Sequence, residues 1–444
     1  MQPLDRKILH IALPAIASNI TVPLLGIIDL AIVGHLGTAA YIGAIAVGSM
    51  VFNVMYWLFA FLRMGTSGMT SQSLGAHRLD ESMRMLVRSL SIATAIALLL
   101  IALQVPLFSL AMKIMQPTPE VSELSHTYFN ICIWGAPAVL CMYGINGWFI
   151  GMQNSRTPMT VAITQNLVNI AASLLFVYGL GMKVEGVALG TLVAQYAGLL
   201  ISLVLWHRYY YRLRKWFSRK GLFQHQAMHR FFSVNRDIFL RTFFLIAVNF
   251  FITSAGAWQG DDILATNALL MQFFLIFSYF ADGFAYAGEA LCGKAYGGKN
   301  WQLLNKAKNR IFRMGIVISA AFVLLFITAD TTLASLLTDD CHILELSHTY
   351  MPWLRLVPIA GIAAFIWDGI FIGCTATRQM LLTTFIGAVT FFGIYYSLPL
   401  FCSIPTNHIL WLAFISYLFM RGVTQTIIYH RFANRTIHAL TYKG

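Results

Sequence analysis

Asp29 is the only carboxylate or strong base between Lys7 and Arg63. An ionised carboxylate in hydrocarbon costs several kcal/mol unless paired or hydrated, so an acid in so apolar a stretch is by default a functional candidate. It follows the helix breaker Pro23 by six residues, where a desolvated carboxyl could take up and release a proton. The competing reading is an acid at the outer end of a helix that simply reaches water. Further on, Asn166, Asn169 and Ser173 fall at i, i+3 and i+7 on one helix face, and Thr191 on the next helix could complete a polar cluster. Such side chains suit a proton or cation site, and equally suit the hydrogen bonds that hold helices together in lipid. Tyr279, Asp282, Tyr286 and Glu289 fall at i, i+3, i+7 and i+10 on one stripe, two acids flanked by tyrosines, as a cation pocket would need. Asp368 would add a third carboxylate, and Asn146 stands at its repeat position. Against this, Arg241 or Arg355 could pair with these acids structurally. Arg63, toward a helix end, reads as a side chain snorkelling to headgroups.

The elements that hold these residues follow from composition. Of 444 residues, 58% are hydrophobic and 11% charged, and mean hydropathy is +0.70, whereas soluble domains carry about 25% charged residues. Apolar stretches predict about twelve membrane helices, near 8–33, 41–74, 86–112, 124–153, 157–180, 186–207, 238–258, 263–296, 308–329, 343–374, 379–401 and 407–430. They are apolar on every face, which excludes the short alternating strands of a β-barrel. Arg6-Lys7 run straight into an apolar helix with no small-residue cleavage site after it, so no cleaved targeting segment is expected.

Lys and Arg gather on alternate loops, among them Arg78/Arg84/Arg88, the block 208–236 and the tail Arg431/Arg435/Lys443. The opposite loops hold Lys113, Lys183 and the acids Asp261-Asp262 and Asp339-Asp340, so both termini and the central linker are expected in the cytoplasm. The net charge of +13 is thereby a matter of topology, and the linker's bases and aromatics suit anionic headgroups better than RNA. The six cysteines, Cys402 included, show no disulfide or metal spacing. No nucleophile–base pair or phosphate loop argues for an enzyme, and no filter-like loop for a channel.

Glu123–Tyr128 recurs letter for letter as Glu345–Tyr350, 222 positions later, and Asn146-Gly147…Gly151 lines up with Asp368-Gly369…Gly373 in the same register. Two long apolar repeats are the mark of a transporter that alternates access around a site between its halves. The expected fold is an all-α membrane protein of two pseudo-symmetric six-helix lobes, 1–207 and 237–444, joined by a basic linker at 208–236.

The opening Leu13-Pro14-Ala15-Ile16…Asn19-Ile20…Pro23-Leu24…Asp29…Val33-Gly34-His35 and the run Gly260-Asp261-Asp262…Asn267-Ala268…Asp282-Gly283-Phe284-Ala285-Tyr286-Ala287…Glu289 resemble the multidrug and toxic compound extrusion (MATE) transporters, in particular their DinF-like branch. Gly147…Gly151…Asn154…Thr157-Pro158 and Asn169…Gly186-Val187-Ala188…Thr191 support it. The resemblance implies secondary efflux of an amphipathic, cationic drug or metabolite as H⁺ or Na⁺ enters, by a monomer in the bacterial inner membrane, without a cofactor and without nucleic acid. Asp29 occupies the position of the family's coupling aspartate, Asn169 and Thr191 match its N-lobe cation site, and Glu289 and Asp368 match acids used by other members. Ser173 stands where many members carry a second aspartate, which favours H⁺ over Na⁺ here. The runner-up is a flippase for lipid-linked sugars or lipids. That class lines its cavity with several arginines, and the apolar spans as drawn hold Arg63 and Arg355.

Overall fold

The computed structural model describes residues 3–34, 38–219, 221–335, 337–338, 340–401 and 404–441, without the side chains at 22–25, 27, 30, 33, 34, 39, 330, 331 and 432–441. His35, Asp339, Cys402 and Lys443, and the side chains of Pro23, Leu24, Val33 and Arg435, lie outside that description. The described chain is helical, with no strand among its residues. The first half comprises α1 (Pro3–Gly34), α2 (Ala39–Leu58), α3 (Phe61–Gly75), α4 (Leu79–Ala102), α5 (Gln104–Met115), α6 (Pro119–Cys132), α7 (Ala136–Gly151), α8 (Arg156–Leu174) and α9 (Val184–Tyr210). The second comprises α10 (His225–Ala257), α11 (Asp261–Gly297), α12 (Trp301–Thr328), the short α13 (Asp330–Ser335), α14 (Cys341–Gly373), α15 (Thr377–Ser397) and α16 (Thr406–Thr441). Among the described residues, 11 stretches are long and apolar enough to cross a membrane, α2 with α3 and α6 with α7 counting once each. Helix α1 completes the twelve expected from the sequence.

The repeat is written into the backbone. Helices α10, α11, α12, α14 and α16 each begin 222 positions after α1, α2, α4, α6 and α9, at His225, Asp261, Trp301, Cys341 and Thr406. Left-handed residues recur at the same offset, His77 (φ 56) with Lys299 (φ 53) and Gln153 (φ 65) with Thr375 (φ 51). So do the closest helix contacts. A Cβ on Gly147 would lie 2.2 Å from the carbonyl oxygen of Arg63, and one on Gly369 2.1 Å from that of Ala285. One turn on, a Cβ on Gly151 or Gly373 would lie 2.7 Å from the carbonyl oxygen of Ser67 or Glu289. The obstacle in each case is backbone, so glycine alone lets α7 meet α3, and α14 meet α11, this closely.

Helix boundaries depart from the apolar spans for identifiable reasons. The span expected at 86–112 is two helices, because Pro106 offers no N–H to the carbonyl of Ala102, and the chain breaks at Leu103 before α5. Pro137 stands in the same relation to Ile133, where a 3-10 turn (Ile133–Gly135) separates α6 from α7. Helices α4, α10 and α12 start at 79, 225 and 301, ahead of the expected 86, 238 and 308. The turns they add carry charged residues, among them Asp80, Glu81 and Arg84, Arg230 and Arg236, and Lys306, and hydropathy marks the hydrocarbon rather than the helix.

The chain packs as two compact units. Leu13–Asn235 form one, and Arg236 onward, with the first turns of α1 up to Ala12, form the other. The divisions fall inside α1 and α10, whereas the sequence pattern draws them at 207/208 and 236/237. Residues of the expected linker are part of the first unit: α9 runs to Tyr210, a 3-10 segment covers Tyr211–Trp216, and α10 begins at His225. Two arginines 222 positions apart hold these entering segments. Buried Arg88 donates to the carbonyls of Leu222 (2.9 Å) and Gly221 (3.5 Å), and Arg310 pairs with Asp5 at 3.7 Å in the other unit.

Candidate ion-coupling and polar centres

In the first unit Asn169 and Ser173 are fully buried on one face of α8, as their spacing predicts. Asn169 Nδ2 donates to Thr191 Oγ1 of α9 at 3.2 Å. Gly190, beside Thr191, permits the approach: a Cβ there would lie 2.3 Å from Ser173 Oγ and 2.8 Å from the Ser173 backbone nitrogen. After Ser173 the helix passes into a π turn, Leu175–Gly179, a distortion that frequently marks functional sites. Tyr178 of that turn donates to the carbonyl of Ile32 at 3.1 Å. Asn166 donates to the carbonyl of Thr21 at 2.9 Å. These two bonds tie α8 and its π turn to α1 on either side of Asp29, so Asn166 clamps α1 through its Nδ2.

Asp29 is 8% exposed. Its Oδ1, together with Asn169 Oδ1, Ser173 Oγ and Asn146 Oδ1, is buried with no hydrogen-bond partner among the described residues. Tyr128 and Cys132 of α6 lie close enough to feel the charge on Asp29. The Tyr128 hydroxyl is 3.4 Å from Ser49 Oγ, and its ring fills the space that a side chain on Gly48 would occupy, 2.4 Å from a Cβ. Oxygen acceptors left unsatisfied in a buried place favour whatever brings a proton or positive charge to them. Tyr128 is in the repeated hexapeptide, yet nothing in the spacing aims it at Asp29, which is distant in sequence.

The second unit is built differently. Asp368 of α14 is buried and fully engaged: Arg421 donates to Oδ2 at 2.6 Å, Arg241 donates to the same oxygen, and Gln425 donates to Oδ1 at 2.6 Å. The Arg421 guanidinium also lies over the Tyr417 ring, 5.2 Å from its centroid. Asp368, grouped by sequence with the cation-binding acids, is thus neutralised by two buried arginines, and a cation has no open carboxylate there. The structural pairing weighed for it holds for Arg241, while Arg355 donates to the carbonyl of Phe326 at 3.3 Å. The count of arginines in apolar spans is corrected too: Arg241 and Arg421 are buried in α10 and α16. Arg421 was legible as a base inside the apolar run 407–430. On α11, Tyr279, Asp282 and Tyr286 are half-buried and Glu289 is fully buried, with Asp282 within electrostatic range of Arg421 and of Tyr279.

Neither centre is duplicated. The positions 222 after Asp29, Asn169 and Ser173 are Phe251, Phe391 and Tyr395, whose rings pack together, Phe251 lying 5.7 Å from Phe391 and 5.0 Å from Tyr395. The positions 222 before Arg241, Asp368, Arg421 and Gln425 are Asn19, Asn146, Leu199 and Leu203. One backbone plan thus carries a polar, acid-containing centre in the first unit, and aromatic packing with a separate ion-pair cluster in the second.

Two repeated helical halves, with a buried acid whose Oδ1 has no partner among the described residues in the first and a buried acid paired to two arginines in the second, fit a multi-pass membrane transporter. The MatE family model matches residues 14–175 and 238–396. The chain is 35% identical over 434 residues to the DNA damage-inducible protein F of Escherichia coli (strain K12), covering 96% of this chain and 92% of that one. A MATE crystal structure in the bent conformation superposes with a TM-score of 0.86 at 19% identity, covering 100% of this chain and 97% of the other. A MOP superfamily transporter from Pyrococcus furiosus, described as having a binding pocket of reverse polarity, superposes at 0.85 with 19% identity, over 99% and 97%. The chain belongs to the MatE family of multidrug efflux transporters.

Proposed function

We propose that this chain is an H⁺-coupled antiporter of the bacterial inner membrane, with both termini in the cytoplasm, exporting an amphipathic, cationic drug or metabolite by alternating access. The observation that carries this reading is Asp29, a buried carboxyl whose Oδ1 has no hydrogen-bond partner among the described residues. One carboxylate can hold a proton or neutralise a cation, and mutual exclusion of the two is what antiport requires. Asn169, Ser173 and Thr191 supply neutral oxygens in the same unit but no second charge, which favours H⁺ over Na⁺ as the coupling ion. The protein acts as a monomer and needs no cofactor. Purified chain in proteoliposomes, loaded with a panel of cationic dyes, tests this. Efflux persisting in Na⁺-free buffer and collapsing with a protonophore is expected. Strict Na⁺ dependence at fixed pH would reverse the ion assignment, and no exchange driven by either gradient would end the antiporter reading.

The buried pair Arg241 and Arg421 favours a second reading, in which the exported amphiphile is an anion. The same two residues bring the flippase alternative back into contention, since arginines within the spans are the feature that sets that class apart. Adding amphipathic anions and a lipid-linked sugar to the same panel discriminates among the three.

A further inference from the structure

We propose that the segment 208–219, which follows α9, is a docking surface for the anionic phospholipid headgroups of the leaflet it adjoins. The inference is independent of which substrate is carried. The segment is held on one side. Tyr210, Leu213 and Phe217 pack against the cluster containing Trp148 and Phe149, the Tyr210 ring meeting Trp148 edge-on at 4.9 Å and its hydroxyl accepting from Asn154 Nδ2 at 3.1 Å. Just beyond, Arg88 fixes the carbonyls of Gly221 and Leu222. The segment is therefore a fixed ledge.

Its other side is exposed and basic: Arg208, Arg212, Arg214, Lys215 and Arg219 alternate with exposed Tyr209, Tyr211 and Trp216. No Asp or Glu occurs between Glu185 and Asp237, so nothing nearby in the sequence neutralises this face. The bilayer supplies the complement. On α9, Tyr196, Leu200 and Val204 form an exposed apolar stripe at i, i+4 and i+8, and the next position on that stripe is Arg208, with Tyr211 one turn further. A rise of about 1.5 Å per residue carries the stripe about 12 Å from Leu200 to Arg208, from hydrocarbon to headgroup depth, where Tyr, Trp, Lys and Arg are favoured. Basic clusters at that depth are attracted to anionic lipid and released by salt.

The test uses the full chain reconstituted in phosphatidylcholine vesicles, without or with phosphatidylglycerol carrying a headgroup quencher. Comparing the native chain with Trp216→Phe isolates the fluorescence of Trp216. Labelled phosphatidylglycerol is expected to quench it several-fold more than equally labelled phosphatidylcholine, and the difference should vanish at about 1 M salt, where the Debye length is about 3 Å. A variant with Arg208, Arg212, Arg214 and Lys215 changed to Gln keeps the inward anchors. It should melt with the native protein and lose the preference. Equal quenching by the two lipids, or an unchanged preference in that variant, overturns the proposal. Single-stranded RNA that binds the ledge and is not displaced by anionic vesicles would also overturn it.

Discussion

Arg421 Nη2 sits 2.6 Å from Asp368 Oδ2 and shares that oxygen with Arg241, all three side chains being buried. Removing one member of such a cluster strands the others without water. Asp368→Ala should therefore cost about 3–5 kcal/mol of stability, seen as a lower melting temperature in detergent. Asp368→Asn keeps an acceptor for the arginines and should retain most of the fold. If Asp368→Asn instead melted normally but transported nothing, Asp368 would be a coupling acid after all.

Asp29→Asn should do the opposite. It fixes the neutral state, removes the cost of a charge in an apolar setting, and leaves the clamps from Asn166 and Tyr178 intact because both bond to the α1 backbone. Expression and thermal stability should be normal, with transport reduced at least about tenfold, roughly 1.4 kcal/mol in the limiting step. Near-native efflux by this variant would move the coupling site to Glu289.

Thr191→Ala removes the acceptor of Asn169 Nδ2 and leaves a buried donor unsatisfied, a cost of about 1–3 kcal/mol. Partial loss of transport with a lowered melting point is expected, and Thr191→Ser should restore both. Asn146→Ala should also reduce transport in part, since it removes a buried oxygen that has no hydrogen-bond partner among the described residues. Efflux rates of the three variants in one vesicle preparation check the ordering.

Gly369→Ala and Gly393→Ala separate packing from helix propensity. At Gly369 the new methyl would meet the Ala285 backbone at 2.1 Å, so α11 and α14 must part, at about 1–3 kcal/mol. At Gly393 a Cβ meets nothing within 4 Å, and the helix should gain up to about 1 kcal/mol. Equal melting temperatures for the two variants would contradict the close contact.

Much was legible before any coordinates. The exact hexapeptide at 123 and 345 sets an offset that the helix starts then obey, and the i, i+3, i+7 spacing of Asn166, Asn169 and Ser173 placed them on one helix, with Asn169 and Ser173 buried together. Local periodicity is enough for that, since a helix fixes which side chains share a face. The same periodicity grouped Asn166 with Asn169, although Asn166 is spent on a carbonyl of α1, because spacing gives direction and not the neighbour waiting there.

The sequence by itself determined the membrane class, the twofold repeat, the near number of helices and the acids worth attention, because these depend on composition, hydropathy and order along one chain. Tertiary structure alone decided which charges meet. Asp368 finds Arg241 and Arg421 across 127 and 53 positions, Asp29 comes near Tyr128 and Cys132, and Phe251, Phe391 and Tyr395 close the space that is polar in the other unit. The physical reason is that the desolvation cost of a buried acid depends on partners from other helices, and a one-dimensional pattern holds no record of which helices those are.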